Sequence, residues 1–440
     1  MPKFTENQQL AVDMEGSNII VSAGAGSGKT TVLSARVIRK LASGIGIDKL
    51  LILTFTNEAA NGMKRKIRKE IKKILELRNE LKKLDSSYIC TFDSYSLSLV
   101  RKYHYLLNVK RDINIIDSNL LNLKTKEYLD EIMDEEYQQK HDDFTKLITD
   151  FCIKDDKSIV SGILEINKKL DLKYDKKEYL EKYVNDFYSE ETIEKYVLDY
   201  TNFLLEKVDR INIYIDELSH FVDIDYLTKI NDIFTSLINS KTYEEIKENA
   251  FNVDNANVPK LKNADPMAKT IKEKMMKVLS NLKEETRWKD INELVSSIML
   301  TKPYLTAITR IILKLDEKLN KYKFENDLYD FIDISKMAIK IVKENPKICD
   351  EIKNNFNEIM VDEYQDTSDL QEEFISLIEN NNVYTVGDVK QSIYRFRNAN
   401  PDIFRNKYNS YSNKVGGEKI DLLDNFRSRQ EVVDGINLIF

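Results

Sequence analysis

The chain has 440 residues, 42% of them hydrophobic and 32% charged, which is enough for two or more domains of a soluble globular protein and excludes a disordered or fibrous chain. No run approaches the roughly 18 apolar residues of a membrane span, and Met1 to Leu10 is too polar for a signal peptide, so no membrane association is expected. The net charge of −7 excludes a globally basic nucleic-acid binder but leaves room for a local basic groove. Cys90, Cys152 and Cys349 are few and far apart, as are His104, His141 and His220; neither a disulfide framework nor a metal cluster is expected, and a reducing cytoplasm fits.

In chain order, Phe4, Thr5 and Gln8 come first, and a glutamine amide at such a place could read an adenine edge with its paired donor and acceptor. The apolar run Ile19, Ile20, Val21 then leads into AGAGSGKT, Ala23 to Thr30, and on into the helical pattern Val32, Leu33, Val37, Ile38. Strand, glycine loop and helix in that order make a phosphate cradle. Ala23, Gly24, Ala25, Gly26, Ser27 and Gly28 supply backbone N–H groups, Lys29 reaches the outer phosphates, and the Thr30 hydroxyl is placed for Mg²⁺, with Thr31 beside it. Ala23 stands where the motif ordinarily has glycine, a small enough change to be tolerated.

Leu50 to Phe55 reads as a buried parallel strand ending in Thr54, Phe55, Thr56 and Asn57, which suits either a ligand edge or a helix cap, or both. From Glu58 to Leu84 the pattern is helical, and its lysines and arginines, Lys64 to Lys73, read as a solvated face. A short strand, Tyr88 to Thr91, then opens a helix through Phe92, Asp93, Ser94 and Tyr95. Three such strand ends after a phosphate loop suggest one long ligand lying across the sheet.

Between about Asp117 and Tyr322 glycine nearly disappears and helical spacing dominates, so a helical domain is expected inside the α/β one, with Asn252 to Pro266 as its exposed loop. The α/β pattern returns after Phe324. Ile359 to Val361 reads as a buried strand ending in Asp362 and Glu363, either a helix-capping acid cluster or, beside a nucleotide, a metal-shell acid and a proton acceptor. Val383 to Val386 is the next strand, leading to Gln391, where a γ-phosphate could be sensed. Tyr394, Phe396 and Arg397 interleave rings with charge, which serves base stacking or simple aromatic packing. Ile420 to Leu423 reads as a final strand before Asn425, Phe426 and Arg427.

Taken together, these stretches resemble the ordered motifs of superfamily 1 helicases of the UvrD/Rep type, and VDEYQDT with VGDVKQSIYRFR is most similar to the AddA group of bacterial helicase–nucleases. Asp330, Phe331, Asp333 and Ile334 look like that family's DFxDL segment, and the resemblance covers roughly Phe4 to Tyr95 and Asp330 to Arg427. It implies an α/β, RecA-like P-loop NTPase domain with a parallel sheet, in two parts at 1–115 and 324–424, interrupted by an all-helical inserted domain at 116–323, with 425–440 opening a second motor domain. The activity implied is ATP-dependent 3′-to-5′ DNA translocation and helicase action in the repair of broken DNA ends.

By the same resemblance, the cofactors are ATP and Mg²⁺. Gln8 and Phe426 would lie against adenine, Lys29 and Thr30 would hold the phosphates and metal, and Asp362 would ligate Mg²⁺. Glu363 would be the catalytic base, with Gln391 and Arg427 coupling the γ-phosphate to movement. Phe55, Thr56, Thr91, Tyr394, Phe396 and Arg397 would line the track of single-stranded DNA, and Asp93 departs from the histidine that relatives often carry. The partners implied are single-stranded and duplex-end DNA and an AddB-like protein. With its last residue at Phe440, the chain is expected to bind nucleotide weakly and to hydrolyse it slowly or not at all, because closure of a second motor domain completes such sites. The rival readings are a nucleotide-gated DNA-binding or partner-docking module without its own catalysis, and a P-loop ATPase acting on something other than nucleic acid.

Overall fold

The computed structural model describes residues 4–261, 265–395 and 398–439. The eight strands among them are β1 (Ile19–Ala23), β2 (Leu50–Thr54), β3 (Tyr88–Thr91), β4 (Asn114–Ile115), β5 (Leu328–Tyr329), β6 (Glu358–Val361), β7 (Val383–Gly387) and β8 (Glu418–Leu422). Six of them form one sheet in the order β3-β2-β6-β7-β1-β8, with every pairing parallel. This is the α/β sheet expected of a P-loop domain.

Strand alternation builds a core on each face. Ile19, Val21, Leu50, Ile52, Met360, Tyr384 and Val386 turn to the face covered by helices α1 (Glu6–Asp13), α2 (Lys29–Ala42) and α3 (Asn57–Ile71). Ile20, Leu51, Leu53, Ile359, Val361 and Val383 turn to the other, covered by α4 (Phe92–Lys102) and the helices Phe331–Glu344 and Asp369–Ile378. Both faces are closed, so the inner strands β1, β2, β6 and β7 are largely apolar, while edge strand β8 carries Glu418, Lys419 and Asp421, and polar ligands are left to the carboxyl edge.

The chain divides into two compact units, Met1–Asp130 with Leu164–Lys176 and Leu315–Phe440, and Glu131–Ile163 with Lys177–Lys314. The second is helical. Its core packs Leu204, Val208, Ile211 and Ile215 of the helix Glu190–Leu218 against Ile230, Phe234, Met275 and Leu279, with Trp288 half-buried against them. Within it Arg310 donates to both Glu136 and Asp143, and Lys314 donates to Glu136 at 2.9 Å.

Two expectations need correction. The stretch Glu58 to Leu84 is not one helical run: α3 ends at Ile71, and a tighter 3₁₀ segment, Leu75–Lys82, follows. Ile74 is extended there, and Leu77 is the one residue of that segment that is buried, too little apolar face to carry the α-helix on. The last strand begins earlier, at Glu418, because its N–H meets the Asn18 carbonyl at 2.8 Å and sets the register with β1; Leu423 lies beyond it, exposed. The pairing of β4 with β5 is a two-residue sheet that no apolar run announces.

Candidate nucleotide site and adjoining strand-end groove

The loop after β1 curls through Ser27, whose N–H and hydroxyl both donate to the Gly24 carbonyl, at 3.2 and 2.8 Å. Gly26 is at φ 78°, and a Cβ there would stand 2.5 Å from Asn425 Oδ1 and 2.8 Å from Arg427 Cβ. Only glycine keeps both the left-handed backbone and that approach. The Gly26 carbonyl accepts from the Phe426 N–H at 2.9 Å, so the segment carrying Phe426 and Arg427 lies on the loop by backbone contact while the Phe426 ring stays exposed. Helix α2 starts at Lys29, behind this loop, and leaves its first N–H groups at the cradle.

Gln8 is held just behind the loop. Its Nε2 donates to the Ser27 carbonyl at 2.9 Å, and its Oε1 accepts from the Thr5 N–H at 3.1 Å in a capping box that starts α1. Ala23 is the fully buried last residue of β1, and Gly24 has open space where a side chain would stand. Thr30 accepts from Ser34 through its carbonyl.

Across from the loop, β6 ends and the backbone turns left-handed at Glu363, with φ 50°. That turn faces Glu363 to the loop: Lys29 Nζ donates to its Oε2 at 3.0 Å and reaches Gln391 Oε1 at 3.5 Å. Asp362 is fixed differently, its Oδ1 accepting from the Glu363 N–H at 3.1 Å. Burial pushes the Asp362 carboxyl up to about 6 and repulsion from Glu363 adds to it, opposed by that N–H and by the Lys29 and Lys66 ammonium groups. The loop, the lysine and the acid pair therefore share one place.

Two residues to which the sequence reading gave no role in the site belong here. Lys66, read as part of a solvated face, is half-buried instead and donates to Thr31 Oγ1 at 3.1 Å. Burial lowers its pKa against the attraction of Glu70 and Asp362. Lys66 stands three residues beyond Met63, whose sulfur accepts from Ser34 of α2, so both lie on the flank of α3 that meets that helix. Gln365 is the other. Its Nε2 donates to Glu363 Oε2 at 2.9 Å and its Oε1 accepts from the Asp388 N–H at 2.9 Å, while Gln391 Nε2 donates to Asp388 Oδ2 at 2.7 Å. Glu363 and Gln391 are thus tied through Gln365 and Asp388 as well as through Lys29.

The residues expected along the DNA track are placed less uniformly. Phe55 and Tyr394 meet with ring centroids 5.0 Å apart at 32°. Thr56 and Thr91 cap helices α3 and α4, accepting from Ala59 N–H and Ser94 N–H at 3.1 Å each. Phe396 and Arg397 lie outside the described residues.

The chemistry present fits a magnesium nucleotide: a glycine cradle lined with N–H donors, an ammonium beside it, one hydroxyl and one buried carboxylate. Among the described residues no group of three metal-ligating side chains gathers. Among the described residues no helix is long and apolar enough to cross a membrane.

A parallel sheet with a glycine loop at one strand end and an acid pair two strands away defines the class of P-loop nucleotide-binding domains. Residues 4–412 match the UvrD/REP helicase N-terminal domain, and the chain belongs to that family. It is 30% identical to an ATP-dependent helicase/nuclease subunit of Clostridium kluyveri over 100% of this chain and 39% of that protein. For the proteins of the same name from Lachnoclostridium phytofermentans and Listeria monocytogenes the identities are 32% and 31%, over 99% of this chain and 35% and 39% of theirs. The chain thus spans under two-fifths of the length of these curated relatives.

Proposed function

We propose that this chain is the nucleotide-binding motor part of an ATP-dependent DNA helicase of the AddA kind, working 3′ to 5′ in the cytoplasm on broken DNA ends with an AddB-like partner. The observation that carries this reading is the 3.0 Å contact between Lys29 Nζ and Glu363 Oε2, which puts the phosphate-binding ammonium and the proposed base in one place. Mg²⁺ bound with ATP would supply charge neutralisation at the phosphates. Thr30 and Asp362 would hold it.

In this reading Lys29 exchanges its pairing with Glu363 for the outer phosphates, and the freed Glu363 carboxylate orients and deprotonates the attacking water. Gln391, tied to Glu363 through Gln365 and Asp388, reports the state of the γ-phosphate toward Tyr394. Arg427 closes on the same phosphate, while Gln8 and Phe426 hold the adenine. Phe55, Thr56, Thr91, Tyr394, Phe396 and Arg397 carry the unpaired strand.

Fluorescence anisotropy with an unstructured thymidine oligonucleotide tests the strand assignment. Phe55→Ala and Tyr394→Ala should each weaken binding by roughly 1–3 kcal/mol for a lost stack, and wild-type affinity should fall as salt rises. Unchanged affinity in both variants would remove the strand from this edge.

A further inference from the structure

The carboxyl ends of β2, β3 and β6 open into a pocket of about 270 Å³. Phe55, Phe92, Phe331 and Leu370 give it apolar walls, and Phe55 also meets the ring of Tyr394. Most of the polar groups around it are already engaged. The Thr54 hydroxyl donates to the Thr56 carbonyl, Thr91 is shared with Ser94, Ser335 donates to the Phe331 carbonyl, and Gln371 Oε1 accepts from the Ser368 N–H.

Two carboxyl groups remain. Asp93 makes no hydrogen bond or ion pair among the described residues, and burial raises its pKa with no cation to offset it. Asp366 is 5% exposed; its Oδ2 accepts from Gln365 Nε2 at 3.4 Å, while its Oδ1 is buried without a partner among the described residues. Oxygens left this way are costly unless a donor arrives, so what they await is a donor. A phosphate is repelled, and the acids are not gathered for a cation, since no group of three metal-ligating side chains forms among the described residues. A pocket with aromatic walls and acceptors among them matches a heterocycle that presents adjacent N–H groups. Guanine, with N1–H and N2–H₂ side by side, matches a single carboxylate in two bonds.

We propose that this pocket receives one unpaired base of the bound strand and selects guanine through the Asp93 carboxylate. This rests on the reading of the strand edge given above. It also accounts for an acid at position 93: a carboxylate repels the backbone of a nucleic acid but accepts from a base edge.

The test compares an alternating thymine–guanine oligonucleotide with its thymine–inosine counterpart in lithium buffer. The two are equal in charge and nearly equal in shape, and they differ by the N2 amino group. The wild-type chain should bind the guanine strand roughly tenfold more tightly. Asp93→Asn should bring the two affinities together, because the guanine strand loses the N2 bond that the inosine strand never had. Asp93→Ser, which keeps a small polar residue in the first turn of α4, should do the same if the asparagine variant fails to fold. Equal wild-type affinities for the two strands, or a preference that survives both substitutions, would overturn the guanine pocket and leave the strand edge standing. Failure of the wild type to bind either strand at low salt would overturn the strand edge itself.

Discussion

Single atoms decide much of the site. Gly26→Ala would drive a methyl to 2.5 Å from Asn425 Oδ1 at a backbone angle that alanine resists. The loop and the Phe426 segment must then part, and binding of a fluorescent ATP analogue should fall by an order of magnitude or so while the melting temperature changes little. Gly387 is constrained from another side, since a Cβ there would meet Gln365 Oε1 at 2.5 Å and Gln365 N at 3.1 Å. Gly387→Ala should therefore lower stability by about 1–3 kcal/mol in urea titration, because the buried amide that joins Glu363 to Asp388 has nowhere to retreat. An unaltered unfolding midpoint would show that Gln365 is not held as described.

At the scale of elements, one buried arginine joins the pieces that carry the site. Arg36 of α2 donates from Nε to Glu358 Oε2 at 2.9 Å, from Nη1 to the Ala11 carbonyl at 3.0 Å, and lies 4.3 Å from the centre of the Tyr384 ring. It thereby ties the end of α1, the P-loop helix and the start of β6, whose other end bears Asp362. Arg36→Met removes one partner and leaves the Glu358 charge buried, for an expected loss of roughly 3–5 kcal/mol; a loss below about 1 kcal/mol in chemical denaturation would contradict the role.

The helical unit has its own such centre. Glu136 is buried, yet hydrogen bonds and charge from Arg310 and Lys314 outweigh that burial and hold its carboxyl below the usual range. Arg310 does the same for Asp143. Depressed folded-state values mean that the unfolded chain binds more protons in acid, so this stability is present above about pH 4 and is lost as pH falls below it. The unfolding midpoint of the helical unit should accordingly drop on acidification from about pH 5 to about pH 3, and Arg310→Met should flatten that dependence. An equally steep acid loss in the variant would place the cause elsewhere.

These elements also show what could be read in advance. Strands with closed faces on both sides appear as short apolar runs, so β1, β2, β6 and β7 were legible to within a residue or so, and with them the edge where Lys29, Asp362 and Glu363 would stand. The two-residue pair β4 and β5 was not, because two residues make no pattern. Lys66 was missed for a different reason: a lysine among six neighbouring cations looks solvated until the partner helix is known to pass its flank. The stretch Leu164–Lys176, which belongs to the α/β unit, carries a buried amine, Lys176, between Asp171 and Asp316, a pairing that no local pattern announces.

For the molecule as a whole, the sheet brings residues from opposite ends of the sequence to adjoining places on one edge: the nucleotide cradle over β1, the acid pair after β6, and the aromatic pocket over β2 and β3. Glu363 and Asp362 line the pocket and Glu363 also meets Lys29, so under the proposed function occupation of one side should be felt at the other. The most direct test is the affinity of a labelled single strand with and without saturating magnesium and a non-hydrolysable ATP analogue, in the wild type and in Lys29→Ala. The nucleotide should shift strand affinity about fivefold or more in the wild type and leave it unmoved in the variant. A strand affinity indifferent to nucleotide in the wild type, or a shift that persists without Lys29, would contradict a shared edge.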